Sequence, residues 1–301
     1  MEKNCILALD VGGTFLKAAL FDEDGKLLEK SFDSEPVDSN GALQAVKASY
    51  QTLLKRLKEK AASRGYAVSA VAADTPGPFD FAAGMSRMEH KYTAIYGVPL
   101  RPWFTEALGD VPVCFVHDST AFLAGAASAH PEIGDCAGVM IGTGLGFALM
   151  RDGVILRNET GGPAVSIFRA PCRGATAEDY VSARGVLNAY NEHALLSARE
   201  AREVAIRASN GDPAALEAFR LMGEVLAEIL APILPQYGAK VLYLGGQVSK
   251  SFALFEAPLR EGLAGVSTLE RIEAVEETDL VHMIGATAWY LRSAGKRGAE
   301  A

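Results

Sequence analysis

Long apolar runs are missing from this chain. None reaches the ~18 residues that a membrane-spanning helix needs, so no membrane partner is expected. A basic surplus is missing too: 29 Lys and Arg face 37 Asp and Glu, a formal net charge of −8. Nucleic acids and anionic lipid surfaces are recognised by positive charge, so neither is an expected partner. Cysteine is scarce and scattered. Cys5, Cys114, Cys136 and Cys172 show no C-x-x-C spacing, three of them sit in apolar runs, and they read as small core residues. Scarce, scattered thiols fit a reducing compartment, and a cytoplasmic location is the expectation. The opening Met1-Glu2-Lys3-Asn4 leads straight into an apolar run, so no signal peptide is expected. His130, His193 and His282 lack ligand spacing, so the histidines suggest no bound transition metal.

What the chain does have is apolar content, 49% of 301 residues, enough for one large or two medium cores. It is organised around Leu7-Ala8-Leu9-Asp10-Val11-Gly12-Gly13-Thr14, an apolar run ending in an acid, two glycines and a threonine. Two further runs follow, Phe15 to Phe21 and Lys26 to Lys30, separated by Asp22-Glu23-Asp24-Gly25. The pattern predicts strand, glycine turn, strand, turn, strand. Glycines at such a turn let backbone N–H groups approach an anion, and Thr14 adds a hydroxyl. Asp10 would repel a phosphate unless a cation lies between them, which points to Mg²⁺.

The same unit recurs in the second half. Gly138 to Ile141 is an apolar run, Gly142-Thr143-Gly144-Leu145-Gly146 a glycine turn, Phe147 to Met150 a second run, and Val154 to Leu156 a third after Arg151-Asp152-Gly153. A duplication at this spacing predicts two similar lobes, and two such turns could hold a polyphosphate from both sides.

Between the repeats, Asn40 to Arg64 has helical periodicity, and Val68 to Ala73 is a buried strand ending at Asp74-Thr75-Pro76-Gly77-Pro78. A long loop to about Pro99 carries Arg87, His90 and Lys91; loops this long usually serve function. A helix over 101–108, a strand over 111–116 and a small-residue helix over 119–129 complete the first half. In the second half 157–177 reads as irregular. Helices are expected over 179–194, 197–209 and 212–235, a strand over 241–244 running into Gly245-Gly246-Gln247, a short strand over 271–275, a last helix over 280–293 and a polar tail over 296–301. Strands alternating with helices predict an α/β sheet protein with its ligands at the carboxyl ends of strands.

Asp118 follows a buried strand and opens a helix. Alone it reads as a helix cap; beside two phosphate-type turns it reads as a general base for a substrate hydroxyl. Gly245-Gly246 reads either as a strand-to-helix turn or as a flat floor for a base or ribose. His90 reads either as a solvated loop residue or as a substrate contact.

Leu9 to Thr14, Thr75-Pro76-Gly77-Pro78, Val116-His117-Asp118-Ser119, Ile141 to Gly146, Gly245-Gly246 and Gly285-Ala286 occur in order along nearly the whole chain. This series resembles the ROK family of bacterial sugar kinases, repressors and related proteins. The resemblance implies an α/β fold of two similar lobes of the actin-like ATPase (ribonuclease H-like) type, with ATP in the cleft. Expected lobes are 1–130, joined by the helix over 280–301, and 131–279. Asp10 would meet Mg²⁺ through water. Gly12, Gly13, Thr14, Gly142, Thr143 and Gly144 would surround the phosphates, with Gly245 and Gly246 against the adenosine. Asp118 would be the base, and Gly77, His90, His117 and Glu178 would face the sugar. Repressor members carry an N-terminal helix-turn-helix, which is not expected here; a homodimer is left open.

The departures fall on the sugar side. Phe15 stands where many members have lysine, and His117 where most have asparagine. Val165 and Phe168 stand at the expected Glu and His, and only Cys172 remains of the family's zinc cysteines, so no zinc site is expected. The leading expectation is γ-phosphate transfer from ATP to a hydroxyl, the 6-OH of a hexose or hexose derivative. Alternatives are a kinase of an N-acetylated or otherwise modified sugar, and a non-catalytic sugar- or nucleotide-binding sensor. The donor, ATP or polyphosphate, stays open.

Overall fold

The structure is a computed structural model and describes residues 2–89, 91–276 and 278–299. The chain divides into two compact units, one of residues 1–128, 157–162 and 279–301, the other of 129–156 and 163–278.

The first unit begins with β1 (Lys3–Val11) and β2 (Phe15–Asp22), an antiparallel pair around the first glycine turn. Then come β3 (Asp33–Pro36), α1 (Leu43–Ala62), β4 (Tyr66–Thr75), the small hairpin β5–β6 (Phe79–Asp80, Met85–Ser86), α2 (Arg101–Leu108), β7 (Val113–His117) and α3 (Asp118–Ser128). The sheet order is β3-β2-β1-β4-β7, with β1, β4 and β7 parallel. Its strands are near-continuous apolar runs because both faces are covered. On one face α1 lays Val46, Tyr50, Leu53, Leu54 and Leu57 against Leu7, Leu9 and Val71. On the other, Ile6, Ala8, Ala70 and Ala72 pack with Met283 and Ala286 of the C-terminal helix (Thr278–Ala299).

Small residues let that helix come very close to α3. A Cβ on Gly125 would fall 1.9 Å from the Val281 carbonyl oxygen, and one on Gly285 would fall 1.7 Å from that of Ala121. Any side chain at either position would push the helices apart. The crossing brings the next residue, His282, onto the strand ends.

The second unit repeats the plan. It holds β8 (Cys136–Ile141), β9 (Leu145–Arg151), β10 (Val154–Ile155), the hairpin β11–β12 (Pro171–Cys172, Ala175–Thr176), α4 (Ala177–Tyr180), α5 (Ala183–His193), α6 (Ala201–Ser209), α7 (Pro213–Leu230), β13 (Val241–Gly245), α8 (Glu256–Leu263) and β14 (Arg271–Ala274). The order β10-β9-β8-β13-β14 matches the first sheet position for position, with β8, β13 and β14 parallel. The expected α/β fold with two like sheets is therefore present. Phe219, Met222 and Leu226 of α7 and Leu259 of α8 bury against Leu242 and Leu244.

Several elements differ from expectation. The third strand is 33–36, not 26–30. Only Leu27 bridges to Phe21, Lys30 adopts a left-handed φ of 56°, and Ser31 turns the chain by exchanging hydrogen bonds with both the N–H and C=O of Leu20. The helix expected over 179–194 is two, because Ser182 caps a new start by accepting from the Gly185 N–H. α6 begins at Ala201 rather than 197, and α7 ends at Leu230, with a tight turn of 3₁₀ helix over Leu234–Tyr237. The last helix runs to Ala299, over most of the expected tail.

Candidate active site

Three aspartates mark the carboxyl ends of the three parallel strands of the first unit. Asp10 and Asp74 are register partners in β1 and β4, and Thr75 is the partner of His117, the residue before Asp118. Paired positions of adjacent strands present side chains on the same face, so the topology gathers these acids.

Asp74 is fully buried, and both its carboxylate oxygens lack a hydrogen-bond partner among the described residues. Burial, with Asp10 adding to it, holds its carboxyl well above the usual carboxylate range. His282 reaches it from the C-terminal helix, Nδ1 standing 3.7 Å from Asp74 Oδ1, too far for a hydrogen bond. Burial alone would depress the imidazole. The carboxylates of Asp74, Asp10 and Asp118 overcome this and carry it up to about 9. Asp10, Asp74 and His282 each offer a ligand atom within 4.8 Å of the others. The sequence shows no ligand spacing at His282, yet the fold places its imidazole beside Asp10 and Asp74. Its neighbours are far away in the chain, and only the helix crossing assembles them. Buried carboxylate oxygens without partners fit a hard divalent cation, so the donor set is compatible with Mg²⁺.

Asp118 is the first residue of α3. Its Oδ1 lies 2.8 Å from His117 Nδ1 and accepts from the Ser119 N–H at 2.6 Å. Oδ2 carries no hydrogen bond among the described residues, and the side chain is 27% exposed. Burial would raise the carboxyl, but His117, Lys91 and His282 together pull it down to about 2, so it is ionised at neutral pH. The other edge of the imidazole faces the proline loop: a Cβ on Gly77 would fall 3.0 Å from His117 Nε2. Gly77 and His117 are thus together. His90 lies outside the described residues. Arg87, in the same loop, is engaged by Asp80 at 4.0 Å and by the face of Tyr96.

The first glycine turn closes with the Gly12 N–H donating to the Phe15 carbonyl at 3.1 Å. The Tyr92 hydroxyl donates to the Gly12 carbonyl at 2.6 Å and pins the turn. The N–H groups of Gly13 and Thr14 carry no intramolecular hydrogen bond among the described residues, so they are open to an anion.

The second turn closes with the Gly142 N–H donating to the Gly144 carbonyl at 3.0 Å, leaving Thr143 and Gly144 N–H open among the described residues. Glu178, a residue expected to face sugar, accepts from the Leu145 N–H through Oε2 at 2.9 Å. Gly246 adjoins this turn. With φ of 87° and a Cβ position 2.4 Å from the Ile141 carbonyl oxygen, only glycine fits there. Val165 is half-buried, and Phe168 is 36% exposed with the Arg169 guanidinium over its ring. Cys172 is buried in the β11–β12 hairpin.

Sequence reasoning left out Asp74, His282 and Tyr92. Asp74 carried a usable signal, since it ends a buried strand as Asp10 does. His282 carried only a weaker one, an ionisable residue amid Leu280, Val281, Met283 and Ile284.

Two α/β units, each with a mixed five-strand sheet and a glycine turn after its first strand, give the chain an actin-like fold. A match to the ROK family spans residues 6–293, and the chain belongs to that family. It is similar to the glucokinase of Thermotoga maritima, 24% identical over 288 residues, with 87% of each chain covered. It is also similar to the N-acetylmannosamine kinase of Shigella boydii serotype 18, 25% identical over 308 residues, 97% of this chain and 96% of that one. Its fold is shared with a ROK family glucokinase from Streptomyces griseus solved with glucose and AMPPNP, at a TM-score of 0.76 and 20% identity, covering 95% of this chain and 98% of that one. A ROK family transcriptional regulator, a homologue of the E. coli MLC protein, shares it too, at a TM-score of 0.80 and 16% identity, with 96% of this chain and 78% of that one covered.

Proposed function

We propose that this chain is an ATP-dependent sugar kinase that transfers the γ-phosphate to a hydroxyl, the 6-OH of a hexose or hexose derivative. The observation that carries this reading is Asp118: an ionised carboxylate at a strand end, Oδ1 beside His117 Nδ1 and accepting from the Ser119 N–H, Oδ2 without a hydrogen bond among the described residues. The names of the two relatives, a glucokinase and an N-acetylmannosamine kinase, support the sugar class.

Phosphoryl transfer asks for positioning and charge stabilisation more than for a strong base. Asp118 Oδ2 would orient the hydroxyl and take its proton late, when the forming bond to phosphorus has made that hydroxyl acidic. A carboxyl near 2 suffices for this, and it is never lost to protonation at neutral pH. His117 fixes the rotamer of Asp118 and, beside Gly77, would face the sugar. In the first unit Gly13 and Thr14 would offer N–H groups to phosphate; in the second Thr143 and Gly144 would do so, with Gly245 and Gly246 for the nucleoside. Asp10, together with Asp74, would hold Mg²⁺, which supplies charge neutralisation at the phosphates when bound.

A second reading is a kinase of an N-acetylated or otherwise modified sugar. Val165 and Phe168 favour it, because apolar side chains cannot pair with hydroxyls and suit an apolar substituent. Mass-spectrometric detection of phosphorylated product from a mixed sugar library, with ATP and with polyphosphate, tests both. A product from glucose or from an N-acetylated hexose is expected; the absence of any sugar-dependent product would leave a binding sensor.

A further inference from the structure

The carboxylates of Asp10 and Asp74 and the imidazole of His282 form a mixed oxygen and nitrogen set. Mg²⁺ is content with oxygen and water. An imidazole buried among carboxylates adds a donor that Mg²⁺ does not favour and that Mn²⁺ and the later divalent ions accept. Asp74 is 0% and His282 7% exposed, and Asp74 Oδ1, Oδ2 and His282 Nδ1 are all without hydrogen-bond partners among the described residues. Three inward-facing ligand atoms with nothing to bind are a costly arrangement for a structural ion pair, which would close to 2.7–2.9 Å; the observed approach is 3.7 Å. Ligand atoms about 2.1 Å from a metal ion lie ~4.2 Å apart when trans and ~3.0 Å apart when cis, so atoms within 4.8 Å of one another need side-chain closure of roughly 1 Å to share one ion. The phosphoryl transfer proposed for Asp118 gives His282 no part.

We propose that Asp10, Asp74 and His282 are direct ligands of a divalent cation of the Mn²⁺ class, bound by the first unit without nucleotide or sugar. Remaining positions on the ion would be filled by water and, when nucleotide binds, by phosphate oxygen. The ion replaces the hydrogen bonds that the two Asp74 oxygens lack, and on binding it displaces to solvent the proton that the neighbouring carboxylates favour on His282. The helix crossing at Gly125 and Gly285 becomes a metal-positioning device, because it sets the depth of His282.

The test uses the full chain, washed with chelator and free of nucleotide. Mn²⁺ is titrated and followed by the electron paramagnetic resonance of the free ion, with circular dichroism and a thermal melt of each variant. The wild type is expected to bind one Mn²⁺ per chain, more tightly than Mg²⁺ by at least tenfold, and to melt higher when loaded. His282→Gln and Asp74→Asn, folded by circular dichroism, are expected each to weaken Mn²⁺ at least tenfold and to lose the melting shift. In His282→Gln the preference for Mn²⁺ over Mg²⁺ should shrink. Wild-type protein with no stoichiometric Mn²⁺, or a His282→Gln variant that binds as wild type does, overturns the assignment. Should Asp74→Asn fail to fold, the wild-type titration and His282→Gln decide alone. The inference does not rest on the kinase reading: Mn²⁺ binding in a chain that phosphorylates nothing keeps this site and removes that activity.

Discussion

The two glycine turns are built alike and furnished differently. Each follows the first strand of its sheet, closes through its first glycine, and leaves two N–H groups open among the described residues. Around the first stand Asp10 in the strand itself, Asp74 on the neighbouring strand and Tyr92 on the Gly12 carbonyl. Around the second the strand supplies Val139, Met140 and Ile141 and no acid. A carboxylate beside it, that of Glu178 from α4, accepts from the Leu145 N–H through Oε2. The same backbone device therefore serves two settings. In the first unit both Asp74 oxygens are without hydrogen-bond partners among the described residues. In the second the acid has one oxygen, Oε2, committed to the turn.

The largest effect that follows is at Asp118. Asn keeps the shape and can still accept from the Ser119 N–H, but it cannot take a proton. Asp118→Asn should cut kcat by roughly 10²- to 10⁴-fold while the melt and nucleotide binding barely change. A variant retaining more than about a tenth of wild-type kcat would falsify the assignment. The corresponding change in the other unit, Glu178→Gln, should do far less to kcat, and equal losses would erase the contrast.

The turns themselves give the next test, by one substitution at matching positions. A Cβ on Gly12 meets the Phe15 carbonyl oxygen at 2.6 Å, backbone that cannot step aside. A Cβ on Gly142 meets nothing within 4 Å. Gly12→Ala should therefore destabilise by about 1–3 kcal/mol, and Gly142→Ala by no more than ~0.5 kcal/mol. Denaturant unfolding of the two proteins measures both; equal losses would mean that the first turn relaxes in a way its geometry hides.

Glu178→Gln is expected to act more gently. The amide can still accept from the Leu145 N–H, so the cost is the difference between a charged and a neutral acceptor, about 1 kcal/mol. Nucleotide should bind a few-fold tighter once a negative charge leaves the turn, with sugar KM unchanged. If titration shows unchanged nucleotide affinity and kinetics show a raised sugar KM, Glu178 belongs to the sugar, as the family resemblance implies.

These contrasts also mark what a reader of the sequence could see. Both strand-turn-strand units, the α2 helix and the ends of β4 and β7 were legible, because alternating apolar residues, glycine turns and strand-end acids are local patterns. The break at Ser182 was not, since a cap in the middle of a helical pattern looks like any solvated serine. The contact of Glu178 with the second turn was hidden because it depends on a carboxylate meeting an N–H 33 residues away. The Asp74–His282 approach was hidden further still: 208 residues separate the partners, counted from their own numbers, and the helix crossing that joins them depends on two lone glycines.

The smallest effect tests the comparison at the sheet edges. The first sheet ends in β3, where Arg56 of α1 holds Asp33 at 2.9 Å and Glu35 at 2.5 Å, with Lys60 at 3.2 Å from Asp33. The second ends in β10, only Val154 and Ile155, with Val154 58% exposed. Charge anchors the first edge. Burial pushes the Asp33 carboxyl up, but Arg56 and Lys60 outweigh it and hold it below the usual range. A depressed carboxyl stabilises the fold at every pH above its unfolded value, near 3.9, and that contribution is lost as pH falls from there through the lower folded value. The side chain is 22% exposed, so solvent screens part of the pairing and the gain should stay below ~1 kcal/mol. Asp33→Asn should thus melt slightly below wild type at pH 6, and the two curves should converge as pH drops from about 4 toward 2, within whatever range the fold survives. A gap that stays constant across that range would show that the neutral shape of Asp33, not its charge, secures the edge, and the contrast with β10 would then be one of packing.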